Sequence, residues 1–186
     1  VAAANLQPIM VADGPHGLRK QENTADMLGL NESVLATSFP TAVSTACSFD
    51  ENLLEQMGEA LGKEAKNNEV SVILGPGVNV KRNALCGRNF EYFSEDPYLA
   101  GKLGASFVRG VQKNGIGTSV KHFALNNQEY KRFSSDSIAD ERTIREIYLA
   151  PFERVIKEAK PDTVMCAYNK INGTYCSENK WLLTDV

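Results

Sequence analysis

Lysine and histidine stand side by side in GTSVKHFALNNQEYKRF, residues 117–133, where the chain otherwise reads as a buried strand. Lys121 is costly to bury, because its ammonium group then needs an anion or several acceptors. His122 alone would be typical of a satisfied core histidine, but next to Lys121 it favours a functional pair. Arg132 follows in the same segment, either as a further cation of that site or as a surface charge like Lys131.

Other polar residues also follow apolar runs of strand length. Asp13 does so in ADGP, Arg88 lies in the long loop after residues 69–77, and Tyr168 follows Met165 at the end of VMCAY. Each has a structural alternative: Asp13 as a turn former, Arg88 as a loop cation paired with a glutamate, and Met165 and Tyr168 as core residues. Because the carboxyl ends of parallel strands meet on one face of the fold, these residues are predicted to share one ligand site.

The residue types of this site indicate a ligand rich in hydroxyl groups. Lysine, histidine and arginine supply many donors and the aspartate supplies a strong acceptor, which suits a sugar or a phosphorylated sugar. The turn Gly75-Pro76-Gly77 is only a weak phosphate signal, because neither common phosphate-loop pattern is present. A lysine at this position could also form a Schiff base with a carbonyl substrate, as in aldolases.

Strand and helix patterns alternate along the chain and would position these residues. Periodicity predicts helices with one apolar face, with Asp96 and either Ser48 or Asp50 as N-caps, over residues 49–68, 97–112 and 139–159, and a further helix beginning within 177–186. Strands are predicted at residues 9–12, 39–48 (the weakest), 69–77, 118–124 and 161–169.

Alternating strands and long helices require parallel pairing with right-handed crossovers. Two architectures fit, a doubly wound open sheet and a (β/α)8 barrel. About five strands are predicted where a complete barrel needs eight and roughly 250 residues. The barrel interpretation therefore makes residues 1–186 one incomplete TIM-type barrel domain.

Composition argues against several classes of protein. The chain has 186 residues, a net charge of −3 and no basic cluster, which argues against a nucleic-acid or membrane-surface partner. No apolar run is long enough to span a membrane. The four cysteines lack the CxxC spacing of a zinc site, so we expect free thiols in the core or in loops and no bound metal. We also expect no cofactor and a cytoplasmic protein. Because the first residue is Val1 and not methionine, a leader peptide missing from this sequence is the alternative.

Taken together, the motifs resemble glycoside hydrolase family 3, the β-glucosidases and related exo-acting enzymes. The resemblance rests on five segments in the family's order: DGPHGLR at 13–19, GPGVNVKRNALCGRNFEYFSEDP at 75–97, VKHFALNNQEYKR at 120–132, DERTIREIYLAPFE at 140–153 and TVMCAYNKINGTYCSENKWLL at 163–183. It implies the amino-terminal (β/α)8 barrel of that family, with a glucose-binding subsite at the strand ends. By motif, the residues expected to bind or line that subsite are Asp13, Arg88, Lys121, His122, Arg132, Met165 and Tyr168.

The same resemblance implies a retaining β-glucosidase that releases terminal β-D-glucosyl units through a covalent glycosyl-enzyme. Such enzymes use two carboxyl groups. The family's nucleophile is an aspartate after the next strand and its acid/base comes from a further domain, so no catalytic residue is expected before Val186. We therefore expect a sugar clamp that is inactive by itself and needs the remainder of its own chain. The alternatives are a β-xylosidase or N-acetylglucosaminidase of the same family, or a non-catalytic sugar-binding module.

Overall fold

A computed structural model describes residues 8–22 and 31–186, and four parallel strands form its centre. The strands within these residues are β1 (Val11–Ala12), β2 (Val72–Ile73), β3 (Gly117–Phe123), β4 (Asp136–Ser137), β5 (Thr163–Cys166), β6 (Lys170–Ile171) and β7 (Thr174–Tyr175). The central sheet has the order β1-β2-β3-β5, and all its pairs are parallel. The strands of this sheet follow one another in space in the same direction as in the chain, which is the order found in a barrel. In a doubly wound sheet the strand order reverses direction partway through the sheet. The fold is therefore part of a (β/α) barrel.

Helices connect the strands, and most of them lie where periodicity predicts them. They are α1 (Ala42–Ala46), α2 (Glu51–Asn67), α3 (Pro97–Gln112), α4 (Glu141–Thr143) and α5 (Ala150–Ala159), the last two joined through a π-helical turn at Ile144–Leu149. Asp50 caps α2 and Asp96 caps α3, each accepting two backbone N–H bonds. The helix predicted to begin within 177–186 appears as a π-helical turn at Trp181–Asp185.

The prediction of a strand at residues 39–48 is wrong, because α1 occupies this segment. Short apolar runs do not distinguish a strand from a helix. Here the small side chains of Ala42 and Ala46 let the turn of helix pack into the core against Leu54. Within the described residues, four of the five predicted strands therefore belong to the barrel sheet.

The described residues also form a second, smaller sheet of three strands. β6 and β7 form an antiparallel hairpin, and β4 adds to β6 in parallel. β4 comes after β3 in the chain, and β6 and β7 come after β5, so this sheet is built from segments that follow the carboxyl ends of two barrel strands.

Close helix packing holds the strands in place. A Cβ atom on Gly110 of α3 would lie 2.1 Å from the carbonyl oxygen of Glu55, and one on Gly58 of α2 would lie 2.4 Å from that of Phe107. The backbones of α2 and α3 therefore touch where these glycines face each other. None of the helices in the described ranges is long and apolar enough to cross a membrane.

The central strand β3 is buried from Thr118 to His122. Its backbone pairs with β2 on one side and β5 on the other. The peptide bonds Lys121–His122 and Phe123–Ala124 are cis. Lys121 and His122 therefore lie at the carboxyl end of a strand covered on both sides.

Candidate sugar-binding site

Lys121 lies between two carboxylates that come from distant parts of the chain. Its side chain is 2% exposed, and Nζ donates to Asp13 Oδ1 at 3.1 Å and forms an ion pair with Glu91 Oε2 at 3.2 Å. Asp13 directly follows β1, and Gly77 bridges in parallel to both Tyr92 and Lys121. The parallel order of the strands thus brings Asp13 and Lys121 together, as the sequence predicts.

Glu91 is the buried anion of this cluster. Its side chain is 2% exposed and it also accepts a hydrogen bond from Arg88 Nε, so one carboxylate holds two of the predicted sugar-binding cations. Burial disfavours the charged form of Arg88, but the hydrogen bond and negative charge of Glu91 outweigh this effect and raise the pKa of Arg88. From the sequence, Glu91 is indicated only as one glutamate that could pair with Arg88 in its loop. The signal was present, because FEYF places a carboxylate inside an aromatic run.

His122 is held by both its backbone and its ring. Its N–H donates to Asn79 Oδ1 at 2.7 Å, and Asn79 Nδ2 donates back to its carbonyl oxygen at 2.9 Å. The ring nitrogen Nδ1 lies 2.9 Å from the hydroxyl of Tyr92. Burial, followed by the positive charges of Arg88, Lys121 and Arg132, lowers the pKa of His122 to about 2. His122 is therefore an uncharged imidazole at neutral pH.

Arg132 joins the loop after β3 to the end of β5. Its guanidinium lies 5.1 Å from the ring centroid of Phe133 and 5.3 Å from that of Tyr168, and it donates to Glu129 Oε2 at 2.8 Å. Tyr168 is 55% exposed, which contradicts its interpretation as a core residue. Arg132, Phe133 and Tyr168 therefore form one cluster, in which both aromatic rings are exposed.

A chain of hydrogen bonds connects Arg132 to His122. Asn126 Nδ2 lies 3.0 Å from Glu129 Oε1 and 2.9 Å from the Tyr92 hydroxyl, which in turn contacts His122. Tyr92, Asn126 and Glu129 were not predicted as site residues. Their contacts with His122 and Arg132 connect loops that no pattern in the sequence shows to be neighbours.

Six of the seven predicted residues thus fall into two linked groups. Lys121 contacts both Asp13 and Glu91, and Glu91 also pairs with Arg88, which makes the first group. The hydrogen bonds through Tyr92 connect His122 to Arg132, which contacts Tyr168, and these make the second. Met165 lies half-buried in β5. Within the described ranges, no polar contact or ring contact joins Met165 to either group.

The electrostatics of the cluster suit a neutral ligand with many hydroxyl groups. Each of its carboxylates is paired with a cation: Asp13 with Lys121, Glu91 with Lys121 and Arg88, and Glu129 with Arg132. Charge-assisted hydrogen bonds of this kind fix the orientation of sugar hydroxyls. Among the residues that the structure describes, no group of three or more histidine, cysteine, aspartate or glutamate side chains could hold a metal ion.

Comparisons with known proteins place the chain in a family. Residues 22–186 match the model of the glycosyl hydrolase family 3 N-terminal domain. The chain is 58% identical over 186 residues to thermostable beta-glucosidase B of Acetivibrio thermocellus, and 50% identical over 187 residues to an exo-alpha-(1->6)-L-arabinopyranosidase of Bifidobacterium longum. Each alignment covers all of this chain and 25% of the relative.

Solved structures agree with the sequence comparisons. Beta-glucosidase 3B of Thermotoga neapolitana, solved in complex with glucose, superposes with a TM-score of 0.92 at 47% identity, over 100% of this chain and 26% of that protein. The chain thus spans about a quarter of the length of the relatives it matches. It belongs to glycosyl hydrolase family 3, within the N-terminal, barrel-forming domain of that family.

Proposed function

We propose that the whole protein carrying this chain is a retaining β-glucosidase and that the cluster around Lys121 binds the terminal glucosyl unit. The observation that carries the proposal is the buried ammonium of Lys121, held between Asp13 and Glu91 beside the neutral His122. A relative named as a beta-glucosidase, at 58% identity, supports it.

The cluster retains free hydrogen-bonding capacity that a sugar can use. An ammonium group has three donors; Lys121 uses one for Asp13 and pairs with Glu91, which leaves at least one for a hydroxyl. Arg88 uses Nε for Glu91 and keeps its two terminal nitrogens as donors. Asp13 is 49% exposed and keeps acceptor positions beyond the one that Lys121 occupies. Donors and an acceptor are therefore available around one ring.

These residues orient the substrate, and other carboxyl groups perform the chemistry. A retaining glycosidase needs a nucleophile and an acid/base roughly 5 to 5.5 Å apart. Because the carboxylates of the cluster are each engaged by a cation, we assign them to binding. The nucleophile and the acid/base are expected outside residues 1–186, as the family resemblance implies. The chain alone is then a sugar clamp without hydrolytic activity.

Other sugar substrates are the second candidates. A relative at 50% identity is named as an arabinopyranosidase, so an α-L-arabinopyranoside competes with the β-glucoside as substrate. β-Xylosides and N-acetyl-β-glucosaminides are the further alternatives within the family. A Schiff-base aldolase fits less well, because Lys121 would have to give up its contacts with two carboxylates before attacking a carbonyl group.

Steady-state kinetics of the whole protein test this proposal. We expect it to hydrolyse a nitrophenyl β-D-glucoside with a higher kcat/KM than the matching β-xyloside, N-acetyl-β-glucosaminide or α-L-arabinopyranoside. Lys121→Ala should lower kcat/KM roughly 100-fold, because a hydrogen bond from a charged group is lost, Asp13 loses its paired cation and Glu91 loses one of its two.

A second lysine supplies the matched control. Lys102 also pairs with two carboxylates, Glu51 and Glu158, but on the helical surface. Lys102→Ala should leave kcat/KM unchanged. The proposal would be contradicted if the wild-type protein hydrolysed no β-glucoside, or if Lys121→Ala and Lys102→Ala had equal activities.

A further inference from the structure

The side chain of Tyr92 is fully buried and its hydroxyl lies among three polar atoms. His122 Nδ1 and Asn126 Nδ2 are each 2.9 Å away, and the backbone oxygen of Asn126 is 3.3 Å away. A buried phenol that contacts a ligand-binding histidine can decide which ring nitrogen of that histidine carries the proton.

The contacts of Asn126 fix one of the hydrogens in this arrangement. Its Nδ2 lies within hydrogen-bond distance of both Glu129 Oε1 and the Tyr92 hydroxyl. An ionised carboxylate only accepts hydrogen bonds, so the amide nitrogen must face Glu129, and Arg132 fixes the other oxygen of that carboxylate. Asn126 therefore donates to Tyr92, whose oxygen acts as the acceptor.

The hydroxyl hydrogen of Tyr92 is then free to go to one of two acceptors. His122 Nδ1 is the nearer at 2.9 Å, whereas the backbone oxygen of Asn126, at 3.3 Å, is beyond the usual range for an O–H donor. An imidazole nitrogen that accepts this hydrogen is unprotonated. In a neutral ring the proton then lies on the opposite nitrogen, Nε2.

We propose that Tyr92 is a positioning residue that fixes His122 as the Nε2–H tautomer, so that His122 offers the bound sugar a hydrogen-bond donor. This role rests on the proposed function of the site. Asn126 donates both to Glu129, which only accepts, and to Tyr92, and Tyr92 in turn donates to His122. The lowered pKa of His122 is consistent with this arrangement, because it keeps the ring neutral.

A double-mutant cycle in the whole protein tests whether Tyr92 acts through His122. Tyr92→Phe removes the hydroxyl and keeps the ring, and we expect kcat/KM to fall about tenfold, the effect of one lost hydrogen bond. In a His122→Ala background the same change should have no further effect, because the group it positions is gone.

Tyr98→Phe on the exposed side of α3 is the matched control and should behave as wild type. An equal loss in both backgrounds would assign Tyr92 to packing alone and overturn the proposal. Unchanged kinetics of Tyr92→Phe in the wild-type background would overturn it too.

The tautomer itself can be read without substrate, which separates this inference from the proposed function. In protein labelled with 15N-histidine, the signals of His122 are those that disappear in His122→Gln. We expect 15N shifts of a neutral ring with protonated Nε2 and bare Nδ1 in the wild type. A protonated Nδ1 would overturn the proposal even if the protein hydrolyses β-glucosides, and the expected pattern would stand even if it does not.

Discussion

Replacing Glu91 with glutamine tests how the site holds its cations. The substitution keeps the shape of the side chain but removes the buried charge that pairs with both Lys121 and Arg88. After the change, Lys121 keeps Asp13 as a partner, whereas Arg88 loses its hydrogen-bonded carboxylate.

The expected size of the effect follows from burial. Removing one partner of a buried ion pair destabilises a protein by about 3 to 5 kcal/mol, because the other charge stays buried without compensation. Glutamine still offers one acceptor oxygen and Asp13 remains, so we expect the lower end, about 3 kcal/mol. Because Lys121 and Arg88 also lose their fixed orientation, kcat/KM should fall about 100-fold.

Glu55→Gln is the matched control for this change. Glu55 also pairs with two cations, Arg109 and Lys113, but its side chain is 25% exposed on the helical surface. Exposed pairs contribute about 1 kcal/mol or less. Urea unfolding followed by fluorescence, together with kcat/KM on an aryl β-glucoside, measures both variants of the whole protein. Equal losses in Glu91→Gln and Glu55→Gln would refute the reasoning.

Three further predictions concern stability, each measured by urea unfolding. The pKa of His122 is about 2 in the folded protein and 6.5 ordinarily. The contribution of the neutral ring to the free energy of unfolding is therefore fully present above pH 6.5 and is lost as the pH falls below it. At pH 5 the loss is about 2 kcal/mol, and His122→Gln should flatten this dependence; an unchanged pH profile would contradict the assignment. Gly110→Ala should lower the free energy of unfolding by about 3 kcal/mol, because the new Cβ meets the backbone of α2. Gly115→Ala should lower it by only about 1 kcal/mol, because space is open there and only the φ of +73° is strained. Similar losses in the two variants would argue against the close packing of α2 and α3. Asp96→Ala should cost about 1 kcal/mol through the lost N-cap and Asp96→Asn much less, so equal losses would remove capping as the cause.

The features that the sequence predicts well are those with a local physical reason. Lys121 can be predicted as a site residue because a charge inside an apolar strand needs partners. The start of α3 can be predicted because Asp96 and Pro97 form a recognisable helix N-terminus. The parallel order of the strands then followed from the alternation of strand and helix patterns, and the comparisons confirm the family and the barrel.

The features that the sequence hides depend on contacts between distant loops. Glu91 reaches Lys121 across 30 residues of chain, and Tyr92 reaches His122 and Asn126 in the same way. The periodicity of the sequence does not show which of these distant residues come into contact. The segment 39–48 was mistaken for a strand because its small side chains suit both structures.

The most direct measurement of the central claim is a crystal structure of the whole protein with glucose bound. We expect the ring hydroxyls within hydrogen-bond distance, about 2.6 to 3.2 Å, of side-chain atoms of Asp13, Arg88, Lys121 and His122. A glucose bound elsewhere, with these side chains contacting only water or one another, would contradict the assignment of this cluster to sugar binding.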